Sequence, residues 1–174
     1  MGLVFGGIVA ALLIVEIGLN VLGKFGPDET ENVFIQAVPD PMLGRRLPAF
    51  AGGHDANGFR NESVPDAVDI VAIGDSQTWG INAKPHEAWP QTLASQSNRS
   101  TYNMGLGFFG PVQYWVLTKK ALELSPNVIV IALYFGNDIW GAYDIVYDSD
   151  AYPELRSNDV AAELTTDTIG PRTK

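Results

Sequence analysis

Three apolar, strand-forming runs separated by two helix-like segments constrain the fold of this chain more than any other feature. The runs are VDIVAI (68–73), TYNM (101–104) and VIVIAL (128–133). Between them lie the amphipathic segments AWPQTLASQS and PVQYWVLTKKALEL, and the second begins with the proline that commonly starts a helix. Continuous apolar strands joined by helices are typical of a parallel sheet covered on both faces. We therefore predict an α/β fold, a three-layer parallel sheet with its strands in the spatial order 2-1-3.

The N-terminal segment GLVFGGIVAALLIVEIGLNVLG, residues 2–23, is almost uniformly apolar, with Glu16 and Asn20 as its polar residues. Its length reaches the roughly 20 residues that a helix needs to cross a bilayer. A cleaved signal peptide is the alternative, but no Lys or Arg precedes the run and no small-x-small cleavage site follows it. We predict a transmembrane helix and a single-pass membrane protein whose main domain lies on the periplasmic or other extracytoplasmic side.

The composition changes after the apolar segment and again near residue 67. Residues 24–66 are rich in Pro, Gly, Asp, Glu and Asn, as in PDPMLGRRLP and AGGHDANGFRNESVP. Such stretches favour turns over regular structure. We predict an irregular linker over residues 24–66 and the α/β domain over residues 67–174.

Charge and cysteine content exclude several classes of function. The chain has 20 acidic and 11 basic residues, a net charge of -9, whereas nucleic-acid binding needs clustered Lys and Arg. The absence of cysteine excludes disulfides and thiolate metal sites. The glycine-rich stretch 105–110 lacks both the lysine of a phosphate-binding loop and the GxGxxG order of a dinucleotide site. We predict no nucleic-acid partner, no cofactor and no metal.

Each predicted strand ends in a glycine-containing polar segment: GDS (74–76), GLGF (105–108) and GND (136–138). Because ligands bind beyond the carboxyl ends of parallel strands, these segments should converge on one edge of the sheet. Ser76 supplies a hydroxyl, and Asn137 supplies a neutral N–H donor, which are groups suited to acyl transfer. Taken singly, Ser76 is more simply a helix cap and the GND segment an ordinary turn.

The segments GDSQTWG, NMGLGFFGPVQY and FGND, in this order and spacing, resemble the first three sequence blocks of the SGNH/GDSL hydrolases. NGFRN, before the first strand, is similar to the lead-in of membrane-tethered bacterial members. The resemblance implies a flavodoxin-like three-layer sheet and a serine esterase. It implies Ser76 as the nucleophile and an oxyanion hole formed by the Ser76 N–H, a backbone N–H of Gly107 or Phe108, and Asn137.

Supporting roles fall on Asp75, Gly105 and Asp138, and we expect Asp138 to brace the Asn137 turn. The family's catalytic base lies in a late Asp-x-x-His block, and no histidine follows His86 in this chain. Neither His54 nor His86 occupies the position of the family's base. We expect both to be exposed and structural.

Two hypotheses follow. The first is a membrane-tethered serine esterase or acyltransferase that acts on small acyl esters, such as the O-acetyl groups of a glycan. The second is a non-catalytic membrane-anchored pseudoenzyme or binding subunit. A gene that continues past Lys174 with an Asp-x-x-His block would favour the esterase, which is the outcome we expect, and a stop codon there would favour the subunit.

Overall fold

The computed structural model describes residues 2–21, 36–148 and 152–157. The chain divides into two compact units, Met1–Asn32 and Val33–Lys174. In its described residues the second unit contains the three predicted strands, a short hairpin and four α-helices, besides short 3₁₀ and π-helical turns. In chain order its elements are β1 Val38–Asp40, β2 Gly44–Arg46, β3 Ile70–Gly74, α2 Ser76–Trp79, α3 Trp89–Ser97, β4 Thr101–Asn103, α4 Pro111–Leu122, β5 Val128–Ala132 and α5 Asp138–Tyr143.

The first unit contains helix α1, Gly2–Val21. Apolar side chains along it, such as Phe5, Leu12 and Ile17, are exposed. Within residues 2–21, 36–148 and 152–157, no helix combines the length and apolar character that crossing a membrane requires. The predicted helix is therefore present, whereas its predicted membrane-spanning role finds no support in these residues.

Strand β3 is the centre of a three-stranded parallel sheet. It pairs with β4 on one side and with β5 on the other, so the order is β4-β3-β5. All five residues of β3 are buried, with Val71 and Ile73 in the main apolar core beside Leu117 of α4. The predicted α/β class, parallel pairing and strand order are confirmed.

Strand β5 departs from the prediction that both faces of the sheet are covered. Val128 is 50% exposed and Ile131 is 46% exposed, and Leu133 and Phe135 beyond the strand are exposed as well. Parallel strands are normally buried on both faces. Within the described part of the chain, β5 is the outer strand on this side of the sheet.

The described part of the predicted linker, residues 36–66, lies in the same compact unit as the sheet. Strands β1 and β2 form an antiparallel hairpin, and the irregular backbone that follows contributes buried residues such as Leu47 and Phe59. The buried carboxylate of Asp55 accepts a hydrogen bond of 2.7 Å from the Tyr102 hydroxyl on β4. This segment is thus integral to the domain, which begins well before residue 67.

Candidate active site

The segments that follow β3, β4 and β5 meet at one edge of the sheet. The Leu106 N–H donates to the Gly74 carbonyl over 3.2 Å, which joins the first two segments. A side chain at Gly110 would come within 2.8 Å of the Asp138 carbonyl, so the second and third segments are also in close contact. The convergence predicted from parallel strand ends is therefore present.

Ser76 is the first residue of helix α2, directly beyond β3. Asp75 is the residue that caps this helix, because its Oδ1 accepts a 2.9 Å hydrogen bond from the Gln77 N–H. The Ser76 hydroxyl is half-buried and lies 3.5 Å from Asp75 Oδ2, the limit of a hydrogen bond. Because Asp75 performs the capping, the simpler reading of Ser76 as the helix cap does not hold.

Two glycines permit the close approach of α2 to the strand ends. A Cβ at Gly105 would lie 2.5 Å from the Trp79 backbone nitrogen, and a Cβ at Gly74 would lie 2.0 Å from Thr78 Oγ1. The Asn103 carboxamide adds two hydrogen bonds, to the Thr78 carbonyl and from the Gly105 N–H. The position of the Ser76 turn is thus fixed by backbone packing against the segment after β4.

The segment after β4 holds Gly107 and Phe108 in different environments. Gly107 is buried, whereas Phe108 is 58% exposed and has a positive φ of 69°. A left-handed conformation is uncommon for a residue with a side chain, and it defines the turn at this point. The Phe108 ring lines a cavity next to the sheet edge, and Gly107 is not among the residues that line it.

Asp138 braces the turn that presents Asn137. Its buried Oδ2 accepts hydrogen bonds from the Tyr134 N–H at 2.7 Å and from the Tyr114 hydroxyl at 3.0 Å. Asn137 itself is exposed and lines the same cavity as Phe108. The turn is thus held by the buried carboxylate, and it presents Asn137 at the exposed edge of the cavity.

Two buried carboxyl groups give the site its electrostatic character. Burial raises the pKa of Asp75, the nearby Asp138 raises it further, and the Gln77 hydrogen bond opposes the increase. Burial and the Asp138 carboxylate also raise the pKa of Tyr114. Among the described residues, Asp138 Oδ1 is buried without a hydrogen-bond partner, so one acceptor in the site is unused.

The two histidines are placed differently from each other, and neither contacts Ser76 in the described structure. His86 is exposed on the short helix Pro85–Glu87, as expected. His54 is buried, so the expectation that it is exposed is wrong. Its Nδ1–H donates to the Ala51 carbonyl and its Nε2 accepts a 2.8 Å hydrogen bond from the Trp79 indole. Because Nε2 accepts from the indole N–H, it carries no proton, and His54 is a neutral structural residue.

The segment NGFRN contributes residues that sequence reasoning did not assign to the site. The Arg60 guanidinium is buried and donates to the carbonyls of Gly80 at 2.7 Å and Ala83 at 2.9 Å, just beyond α2. It also lies 4.0 Å from the centre of the Trp79 ring. Asn61 pairs through its side chain with both the N–H and the carbonyl of Asn103. In the sequence, only the NGFRN motif indicated that Arg60 and Asn61 contact the neighbourhood of the site.

His54 should make stability depend on pH. Burial lowers its pKa below the ordinary value of 6.5, and the charge of Arg60 lowers it further. At a pH between the folded and the unfolded pKa of His54, the unfolded chain binds more protons than the folded chain. The contribution of neutral His54 to the free energy of unfolding is therefore complete above about pH 6.5 and is lost as the pH falls through the folded pKa. We expect His54→Gln to remove this component from the unfolding free energy measured against pH, because glutamine accepts from Trp79 without titrating. The exposed-site variant His86→Gln should retain it, and identical profiles for the two variants would contradict the assignment.

Fold and site together define an α/β protein with a serine and an asparagine at the carboxyl edge of a parallel sheet. Comparison with known protein families, with curated proteins and with solved structures finds no match to the chain. The resemblance to the SGNH/GDSL hydrolases therefore rests on the three sequence blocks and on their placement at the strand ends.

Proposed function

We propose that this protein is a serine-dependent acyl-ester hydrolase or acyltransferase of the SGNH/GDSL type. The observation that carries the proposal is the arrangement of Ser76. It lies at the end of the buried strand β3, its hydroxyl is not used to cap α2, and the segments bearing Phe108 and Asn137 converge on the same edge. A small acyl ester, such as an O-acetyl group of a glycan, is the substrate class that we propose.

In this mechanism the Ser76 Oγ attacks the ester carbonyl carbon while its proton passes to a base. The carbonyl oxygen becomes an oxyanion, which the Ser76 N–H, an N–H of Gly107 or Phe108, and the Asn137 carboxamide stabilise. The carbonyl then re-forms, the alcohol leaves with a proton, and water or a second alcohol releases the acyl group from Ser76. Loss of one oxyanion donor typically costs about 2.7 to 4 kcal/mol in the transition state.

The alternative is a non-catalytic binding subunit, and one observation favours it. The described residues contain no imidazole at Ser76, because His54 is committed to Trp79 and Ala51, and His86 is exposed beside Glu87. Hydrolysis of p-nitrophenyl acetate by a version extended with the coding sequence downstream of Lys174, with Ser76→Ala as the paired variant, discriminates between the two functions. The hydrolase requires that release of p-nitrophenol depend on Ser76.

The localisation that we propose is a single-pass membrane protein with its hydrolase domain on the extracytoplasmic side. The exposed apolar side chains of α1 support attachment to lipid, since burial of such surface is favourable. We expect the expressed protein to remain in the membrane fraction after carbonate extraction, and a version lacking residues 2–21 to be released. Release of the intact protein into the soluble fraction would refute this localisation.

A further inference from the structure

The cavity beside Phe108 and Asn137 has walls from several parts of the domain. Its volume is about 360 Å³. The hairpin β1–β2 contributes Arg45, the segment after β4 contributes Phe108, and helix α5 contributes Trp140. The hairpin belongs to the stretch that composition alone classes as a linker, yet it forms one wall next to two of the proposed catalytic residues.

Among the described residues that line this cavity, Arg45 is the only one with a positive charge. Its guanidinium carbon lies 5.0 Å from the centre of the Phe108 ring. No carboxylate of the described residues lies within 4.0 Å of it, whereas the adjacent Arg46 forms an ion pair with Asp40 at 3.5 Å. Within the described structure, Arg45 therefore contacts an aromatic face and forms no ion pair with an acidic side chain.

The chemistry of these residues indicates the ligand. A guanidinium over the face of an aromatic ring leaves N–H groups available at its edge, where they match the two oxygens of a carboxylate or phosphate. The chain carries a net charge of -9, so the positive charge of Arg45 in this cavity is opposite in sign to the charge of the protein as a whole. The apolar surfaces of Phe108 and Trp140 suit a ring or another flat apolar group beside the charge.

We infer that this cavity binds the part of the substrate that carries a negative charge, a carboxylate or a phosphate, and that Arg45 selects for it. The inference rests on the proposed function in one respect, because it places the charged group next to Asn137, which that proposal assigns to the oxyanion hole. The substrate class is thus an acyl ester of an anionic alcohol. Arg45 acts in binding and takes no part in the bond changes.

Binding of three aromatic probes to the full chain tests the cavity without requiring catalysis. Benzoate and phenyl phosphate carry the two candidate anions, and benzamide is the neutral match of benzoate. Measured by ligand-observed NMR titration, at least one anion should bind about tenfold or more tightly than benzamide, because a charged hydrogen bond is worth about that factor. The tighter of the two anions identifies the charged group. Equal binding of all three probes, or no binding, would overturn the inference.

Paired variants locate the effect. Arg45→Gln should abolish the preference for anions, whereas Arg46→Gln, on the same hairpin and already ion-paired, should preserve it. A preference that survives Arg45→Gln would overturn the assignment. Circular dichroism spectra of both variants should match that of the unaltered chain, since both side chains are exposed.

Hydrolysis of two esters by the version extended downstream of Lys174 separates this inference from the proposed function. The substrates 4-acetoxybenzoate and methyl 4-acetoxybenzoate differ in the negative charge. Faster Ser76-dependent turnover of the charged ester, lost in Arg45→Gln, supports both conclusions. Anion binding without Ser76-dependent hydrolysis would support anion binding in the cavity and reject the hydrolase function. Ser76-dependent hydrolysis with no charge preference would support the hydrolase function and reject anion binding in the cavity.

Discussion

The 174-residue chain should hydrolyse p-nitrophenyl acetate slowly, and Ser76→Ala should change that low rate little. Within the described structure, the hydrogen-bond partner of the Ser76 hydroxyl is Asp75 at 3.5 Å, and neither histidine is adjacent. Without an imidazole, the hydroxyl stays protonated and general-base assistance of about 10² to 10⁴ in rate is lost. The oxyanion donors depend on backbone turns and Asn137, so they should remain.

A version extended with the coding sequence downstream of Lys174, if that sequence supplies an Asp-x-x-His block, should be faster by about 10² to 10⁴. Ser76→Ala should remove this activity, whereas Ser95→Ala, an exposed serine of α3, should leave it unchanged. Full activity of the 174-residue chain would show that a residue within it supplies the base, with Asp75 and His86 the first to be replaced. Activity of the extended version that survives Ser76→Ala would remove Ser76 from the mechanism.

Arg60→Leu should destabilise the domain by about 3 kcal/mol, because it leaves one buried and one partly buried carbonyl without their donor. The guanidinium donates to the carbonyls of Gly80 at 2.7 Å and Ala83 at 2.9 Å, and leucine replaces neither hydrogen bond. The same change removes the contact of the guanidinium with the Trp79 ring. Urea unfolding followed by circular dichroism measures the loss.

Arg46→Leu is the matched control for this stability prediction. Arg46 is exposed, and its ion pair with Asp40 is of the surface type that contributes about 1 kcal/mol or less. The urea concentration at the midpoint of unfolding should therefore change little in Arg46→Leu. Equal effects of the two substitutions would show that Arg60 does not secure the end of α2.

The candidate site was predictable to the extent that it depends on strand ends. The polar segments containing Ser76 and Asn137 follow β3 and β5, and parallel strands place their carboxyl ends at a common edge. The sequence did not show which hydrogen bonds each side chain of the site makes. Capping of α2 by Asp75 and bracing by Asp138 depend on distances of a few ångströms that residue type does not specify.

The role of residues 36–66 was not predictable, because their burial depends on partners far along the chain. Asp55 contacts Tyr102, and Arg60 contacts Gly80, across separations of 47 and 20 residues. A segment rich in glycine, proline and polar residues has no apolar periodicity that would indicate burial. His54 shows the same limit, since only its packing against Trp79 makes it a neutral buried acceptor.

The α/β class, the parallel pairing and the order of the three strands all follow from the amino-acid sequence alone. Continuous apolar runs must be buried, and crossover helices permit few arrangements of the strands. The folded structure was needed to show that the polar stretch before the sheet belongs to the domain. In it, Arg60 hydrogen-bonds to the residue that follows α2, and Arg45 lies beside Phe108. The physical reason is that strand formation depends on local apolar patterns, whereas these contacts join polar groups that become neighbours only after the chain has folded.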